Sequence, residues 1–258
     1  MLLAIDIGNT NVVIGIYQEK KLITSWRLSS KADRTGDEYW ILLNSLFNSN
    51  KINICQFDGA IISSVVPDLT MPFIQIVEKY CTLKPVTVDS DLNIKLKLDV
   101  DNPRSVGADR ICNVVAGFEK YGGPLVILDF GTATTFDVIT ENYEFIGGII
   151  APGIEMTATV LHQLAAKLPK VELKFPETVI GRNTETNIQS GLMFGTADLI
   201  NGLFARIENE LGQKFTSIAT GGLANVVTPY LDRKVFIESD LTLEGMRLIY
   251  EELKLYTR

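Results

Sequence analysis

The chain has 258 residues, 46% of them hydrophobic and 21% charged, with a formal net charge of −7. This length admits one large domain or two small ones and can bury a sizeable core. The acidic balance argues against a nucleic-acid backbone as partner, which needs a basic face, but not against a small anionic substrate that meets only local charge.

Leu2 to Ile16 reads LLAIDIGNTNVVIGI, two apolar runs around the small polar turn Gly8-Asn9-Thr10-Asn11. That is a β-hairpin pattern. Asp6 sits inside the first run, where an ionised carboxylate is costly to desolvate unless a metal ion or phosphate-bound Mg²⁺ partners it. The amides and hydroxyls of Gly8 to Asn11 can donate to phosphate oxygens. An ordinary hairpin with an Asn-rich turn accounts for the same stretch.

Leu22 to Leu28 completes a three-strand meander. Thr35 to Phe47 reads as a helix, with Asp37 and Glu38 in a first turn that favours acids and with Trp40, Leu43 and Phe47 on one core face. Asp58 to Val66 is a short buried strand ended by Pro67, Leu69 to Cys81 a helix, and Pro85 to Val88 a strand. Strands alternating with helices give an α/β layout. Asp89 to Val106 is a long polar loop that leads into Gly107-Ala108-Asp109-Arg110 and a helix. The helix dipole explains an Asp in the first turn but not an Arg. The pair suits a base beside an anion binder.

Tyr121-Gly122-Gly123-Pro124 marks a boundary, dividing the chain into residues 1–120 and 121–258. Leu125 to Ile139 then repeats the opening stretch at an offset of 123, which lays Asp129 on Asp6, Gly131 on Gly8, Thr134 on Asn11 and Ile139 on Ile16. A strand–Asp–Gly–polar turn–strand unit that occurs twice suits a duplicated domain with a cleft between its halves. Paired phosphate-cradling hairpins resemble the superfamily of actin, the sugar kinases and Hsp70. The expected fold is therefore α/β, with duplicated ribonuclease-H-like (actin-like ATPase) domains and a nucleotide cleft between them.

Glu144 to Ile150 is the third strand of the second meander. Gly147-Gly148 and Pro152-Gly153 flank Ile149 to Ala151 and would allow a ligand close to the backbone. Glu155 to Ala166 is a helix carrying the lone histidine, His162, read as structural or surface. Thr184 to Leu211 is a long helix containing Gly191, Gly195 and Gly202. Each glycine costs a helix about 1 kcal/mol relative to Ala, so their spacing suggests close packing on another helix, such as one across a dimer interface. Thr216 to Thr220 is a strand running into Gly221-Gly222, a pattern that suits a nucleotide contact but is too common to point to one alone. Val235 to Ile237 and a helix from Thr242 to Tyr256 finish the chain.

Cys55, Cys81 and Cys112 lie far apart without metal-ligand spacing and read as small core residues in a reducing compartment. The N-terminus opens on a strand with no basic segment before it, so no signal peptide is expected. No apolar run reaches the roughly 20 residues that span a bilayer. A cytoplasmic protein with no membrane or nucleic-acid partner is expected.

The motifs in order carry a specific resemblance: Asp6-Ile-Gly-Asn-Thr10, Ser63-Ser-Val-Val-Pro67, Asp101-Asn-Pro-Arg104, Gly107-Ala-Asp-Arg110, Asp129-Phe-Gly-Thr-Ala-Thr134, Gly147 to Gly153, Thr184 with Gln189-Ser-Gly191, and Thr220-Gly-Gly222. Nearly the whole chain resembles type III pantothenate kinase. The resemblance implies ATP-dependent phosphorylation of pantothenate at the first step of coenzyme A synthesis, with Mg²⁺ and a monovalent cation, K⁺ or NH₄⁺. It implies that Asp6, Ile7, Gly8, Asn9, Thr10, Asn11, Val12 and Val13 form the first phosphate-binding hairpin, with Asp6 near Mg²⁺. Thr132 would touch ATP and Asp129 would hold the monovalent cation. Val100, Gly107, Ala108, Asp109, Arg110 and Thr184 would line the pantothenate site, with Asp109 as the base and Arg110 nearest the substrate carboxylate. A homodimer is implied. Val100 departs from the family pattern, which often has Tyr there to enclose pantothenate. Another small-molecule kinase on the same fold, an ATP-binding regulator and an actin-like filament protein are the alternatives. The Gly107–Arg110 loop favours pantothenate over the first, and the intact Asp6, Asp109 and Asp129 argue against the second. A chain this short argues against the third.

Overall fold

A computed structural model describes every residue except Ala32, Ala166, Thr257 and Arg258. The elements run β1 (Leu2–Ile7), β2 (Asn11–Gln18), β3 (Lys21–Ser29), α1 (Gly36–Ser49), β4 (Gly59–Ser64), α2 (Pro67–Ile76), β5 (Val86–Thr87), β6 (Lys97–Leu98) and α3 (Ala108–Tyr121). They continue with β7 (Leu125–Phe130), β8 (Ala133–Ile139), β9 (Glu144–Pro152), α4 (Ile154–Leu164), α5 (Thr184–Leu211), β10 (Thr216–Gly221), α6 (Ala224–Val227), β11 (Phe236–Ile237) and α7 (Leu241–Tyr256). The helix expected over Glu155 to Ala166 ends at a residue outside those described.

The local signals work as physical chemistry demands. Thr35 caps α1 in a reciprocal capping box with Glu38, and Asn183 caps α5 in the same way with Thr186. Pro67 ends the strand before it by opening α2 at its first position, where no amide is missed. Gly212, at φ 66°, closes α5 in the left-handed conformation.

Two compact units result: Met1–Ala116 with the C-terminal segment from Leu241, and Gly117–Asp240. This differs from the division expected after residue 120, which leaves the last helix in the second half. The reason is apolar packing. On one face of the first unit's sheet, Leu3, Ile5 and Ile7 join Val12, Ile14 and Ile16 in a core with Tyr39, Leu43 and Phe47 of α1 and Phe73 of α2. The opposite face is cut to small residues so that helices sit close. A methyl on Gly15 would come within 2.9 Å of Leu243, one on Gly59 would overlap Tyr250, and one on Gly245 would overlap the backbone of Cys112. Helix α7 is thus built into the first unit.

The sheet of the first unit runs β3-β2-β1-β4-β5. Its β1–β2 and β2–β3 pairs are antiparallel, and its β1–β4 and β4–β5 pairs parallel. Strands β9-β8-β7-β10-β11 of the second unit repeat that order and those directions. The burial pattern of β7 matches that of β1 position for position. The chain therefore has the duplicated ribonuclease-H-like α/β fold.

The ungapped overlay of the two hairpins fails after the turn. Ile7 pairs with Val12, but Phe130 pairs with Thr134, so the second turn is one residue shorter. Ala133, not Thr134, stands where Asn11 stands, and Thr134 takes the buried place of Val12. Pleat alternation makes a single-residue change decisive, since it swaps the face of each side chain that follows.

Three further expectations change. Cys55 is exposed in a short 3₁₀ turn after α1, whereas Cys112 is buried as expected. Gly147 and Gly148 are paired within β9, opposite Val138 and Asp137. Gly153 starts α4 at a place where a methyl would overlap the carbonyl of Thr132. The close approach at Gly153 is thus one of the chain to itself. His162 is exposed, its Nδ1 2.8 Å from the Leu168 carbonyl, in keeping with a surface role.

Candidate functional site

In the first unit the chemistry-bearing residues gather where β1, β4 and α3 meet. Asp6 is the fifth residue of a strand that is otherwise wholly apolar, against which α7 packs. Its Oδ1 accepts a 2.8 Å hydrogen bond from the Ser63 hydroxyl of β4. Register explains the contact, because Asp6 and Ser63 are direct partners in the parallel β1–β4 pair. Nearby, Gly107 has no side chain because Asp109 needs the space: a methyl there would stand 2.5 Å from Asp109 Oδ1 and 3.3 Å from Val65. Asp109 folds back over the start of α3, and its Oδ1 accepts from the Arg110 amide at 2.8 Å. Burial raises its pKa, and that amide and the Arg110 charge oppose the shift without cancelling it. Cys112, one helical turn on, has its thiol pushed well above the ordinary value by burial and by the negative charges of Asp6 and Asp109. Cys112 thus lies within electrostatic reach of both carboxylates.

The turn between β1 and β2 is tied down from outside. Gly8 N–H donates to the Asn11 carbonyl at 3.0 Å, so that amide closes the turn. Ser30, just past β3, donates its hydroxyl to the Gly8 carbonyl at 2.5 Å and its amide to the Thr10 carbonyl at 2.9 Å. Asn9 and Thr10 stand exposed at the tip. Ile7 and Val12 are 0% exposed in the core, so a ligand at these positions could meet backbone alone. Val100 is half-buried in the loop before α3.

The second unit repeats the device. Gly131 N–H donates to the Ala133 carbonyl at 3.1 Å, leaving Gly131 and Thr132 exposed at the tip. Asp129 is the register partner of Thr220, and Gly221 adopts φ +92° beside it. A methyl on Gly221 would lie 2.5 Å from the Phe130 carbonyl and 2.7 Å from Asp129 Oδ1. The Thr220-Gly221-Gly222 motif and the second aspartate therefore form one local structure. Thr184 stands exposed at the first position of α5.

Among the described residues no three His, Cys, Asp or Glu side chains cluster as a metal cage. A carboxylate such as Asp6 outside any cage fits Mg²⁺, which takes one or two carboxylates and fills its remaining positions with phosphate and water. Asp129, an oxygen donor at a backbone-rich turn, likewise has the chemistry a hard monovalent cation needs. Ser30 was not singled out from the sequence, whereas Ser63 stood there only within the Ser63–Pro67 motif and Cys112 only as a small core residue. Only Ser63 left a signal there, as a hydroxyl ending an apolar strand.

A family model described as type III pantothenate kinase matches residues 2–206. A type III pantothenate kinase of Roseiflexus sp. (strain RS-1) is 48% identical over 251 residues, covering 97% of this chain and 98% of that one. A solved structure from Campylobacter jejuni, described as a candidate Baf family transcriptional activator, superposes with a TM-score of 0.62 at 20% identity, covering 98% of this chain and 99% of the other. The activator of 2-hydroxyisocaproyl-CoA dehydratase from Clostridium difficile, solved with bound ADPNP, gives 0.56 at 10% identity, with 99% and 96% covered. At these identities the two structures speak for the fold alone.

Proposed function

The chain belongs to the type III pantothenate kinase family, and on that premise we propose that it transfers the γ-phosphoryl group of ATP to the primary hydroxyl of pantothenate, giving 4′-phosphopantothenate for coenzyme A synthesis. The observation that carries the reading is Asp109, buried at the start of α3 beside Arg110, together with Asp6, held on β1 by Ser63.

Phosphoryl transfer depends on in-line positioning and on neutralising phosphate oxygens more than on covalent help. In this reading Asp109 accepts the hydroxyl proton as the new O–P bond forms, and its raised pKa makes it a better acceptor than an exposed carboxylate. Arg110 binds the pantothenate carboxylate. Gly107, Ala108 and Val100 complete that site within the first unit, with Val100 offering apolar contact but no hydroxyl. Asn9 and Thr10 at one tip, and Thr132 at the other, present donors to ATP phosphates. Asp6 would hold Mg²⁺ with the nucleotide, and Asp129 would hold K⁺ or NH₄⁺; bound there, the cations supply positive charge against the phosphate oxygens. Asp109→Asn is expected to lower kcat by about 10²–10⁴-fold while pantothenate binding, read by calorimetry, changes little. Near-native turnover would remove Asp109 as the base.

We further propose a homodimer built on α5. Gly191, Gly195 and Gly202 are exposed, and nothing in the chain lies within 4 Å of a methyl placed on any of them. Leu199 on α5 and Met156, Val160 and Leu164 on the adjoining α4 are exposed as well. A stripe of small residues beside apolar ones suits close approach of a second copy. No helix among the described residues is long and apolar enough to cross a membrane. The three cysteines are free thiols, and with the pathway assignment this supports a cytoplasmic setting.

A further inference from the structure

We propose that Ser63 is a positioning residue for phosphoryl transfer, whose hydroxyl fixes the Asp6 carboxylate for the nucleotide-bound cation. The inference rests on the reading of Asp6 given above. Ser63 is 0% exposed and follows Ala60, Ile61 and Ile62, all buried. A hydroxyl in such surroundings is costly to desolvate unless it is paired. Its one proton is committed to Asp6 Oδ1 at 2.8 Å. Fixing Oδ1 fixes the plane of the carboxylate and hence the direction of Oδ2.

Internal repetition supports the assignment independently. In the second unit the parallel-strand partner of Asp129 is Thr220, which is 4% exposed. Each hairpin aspartate therefore has a buried hydroxyl residue at the same register position of the neighbouring parallel strand. Strand packing alone has no need of a hydroxyl at either place.

The test compares Ser63→Ala, Ser63→Thr and Asp6→Asn with the native chain. ATP binding is measured by calorimetry with Mg²⁺ and with EDTA, alongside steady-state kinetics. Ser63→Ala is expected to weaken ATP binding about tenfold with Mg²⁺ and less than twofold with EDTA, to lower kcat, and to leave the pantothenate KM unchanged. Ser63→Thr should restore most of the loss. Adding Ser63→Ala to Asp6→Asn should cost nothing further, because the hydroxyl then has no carboxylate to hold. If Asp6→Asn loses the Mg²⁺-dependent binding and Ser63→Ala keeps it, the positioning role is overturned while the Asp6 reading stands. If neither variant changes Mg²⁺-dependent binding, the Asp6 reading fails and Ser63 fails with it. Should Ser63→Ala unfold, Ser63→Thr against Ser63→Val makes the same comparison with shape held constant.

Discussion

Asp109 illustrates how a site residue differs from a structural one. A carboxyl with a raised folded-state pKa is more ionised in the unfolded chain, so it subtracts stability at every pH above its ordinary value of about 3.9, fully so once the pH exceeds its folded value. Asp109→Asn is therefore expected to melt at a higher temperature than the native chain at pH 7, with the gap closing as the pH falls towards 4. An equal or lower melting temperature at pH 7 would show that the carboxylate is not strained by its burial. The same shift places the acidic limb of kcat/KM above the ordinary carboxylate range. Asp6 and Asp129 were legible in the sequence as candidates because each is an acid within an apolar run, and Asp109 because the helix dipole leaves its neighbour Arg110 unexplained. Ser63 and Ser30 were not, since their importance comes from register and from the return of a distant strand, which no local pattern encodes.

At the scale of elements, the hairpin turns are held by contacts that forbid side chains. Gly221 combines φ +92° with a place where a methyl would stand 2.5 Å from the Phe130 carbonyl. Gly221→Ala is expected to destabilise the chain by at least about 1–3 kcal/mol from its backbone conformation alone, and to impair K⁺ activation more than the pantothenate KM because it presses on Asp129. Thermal melting and K⁺ titration check both parts; native-like K⁺ dependence would separate Gly221 from the Asp129 site. The two hairpins were readable as a repeat, strand for strand. The shorter second turn was not, because an ungapped overlay matches composition and cannot see which residues pair.

At the scale of the molecule, the duplicated α/β layout followed from strands alternating with helices and from the repeated motif. The allegiance of α7 did not, because sequence distance placed it with the second half while Gly15, Gly59 and Gly245 opened space for it in the first. The exposed glycines of α5 are the corresponding feature on the outside. Gly195→Glu is expected to raise monomer stability slightly, since it removes a helix penalty of about 1 kcal/mol. The same charge should break the proposed dimer, halving the mass seen by sedimentation equilibrium. A variant that remains dimeric would move the interface elsewhere. The account as a whole stands or falls on substrate-dependent turnover. ADP release from ATP and Mg²⁺ is to be measured with and without pantothenate, in K⁺ and again in Na⁺. Release that requires pantothenate and falls sharply in Na⁺ is predicted; release indifferent to pantothenate, or none under any condition, would contradict the assignment.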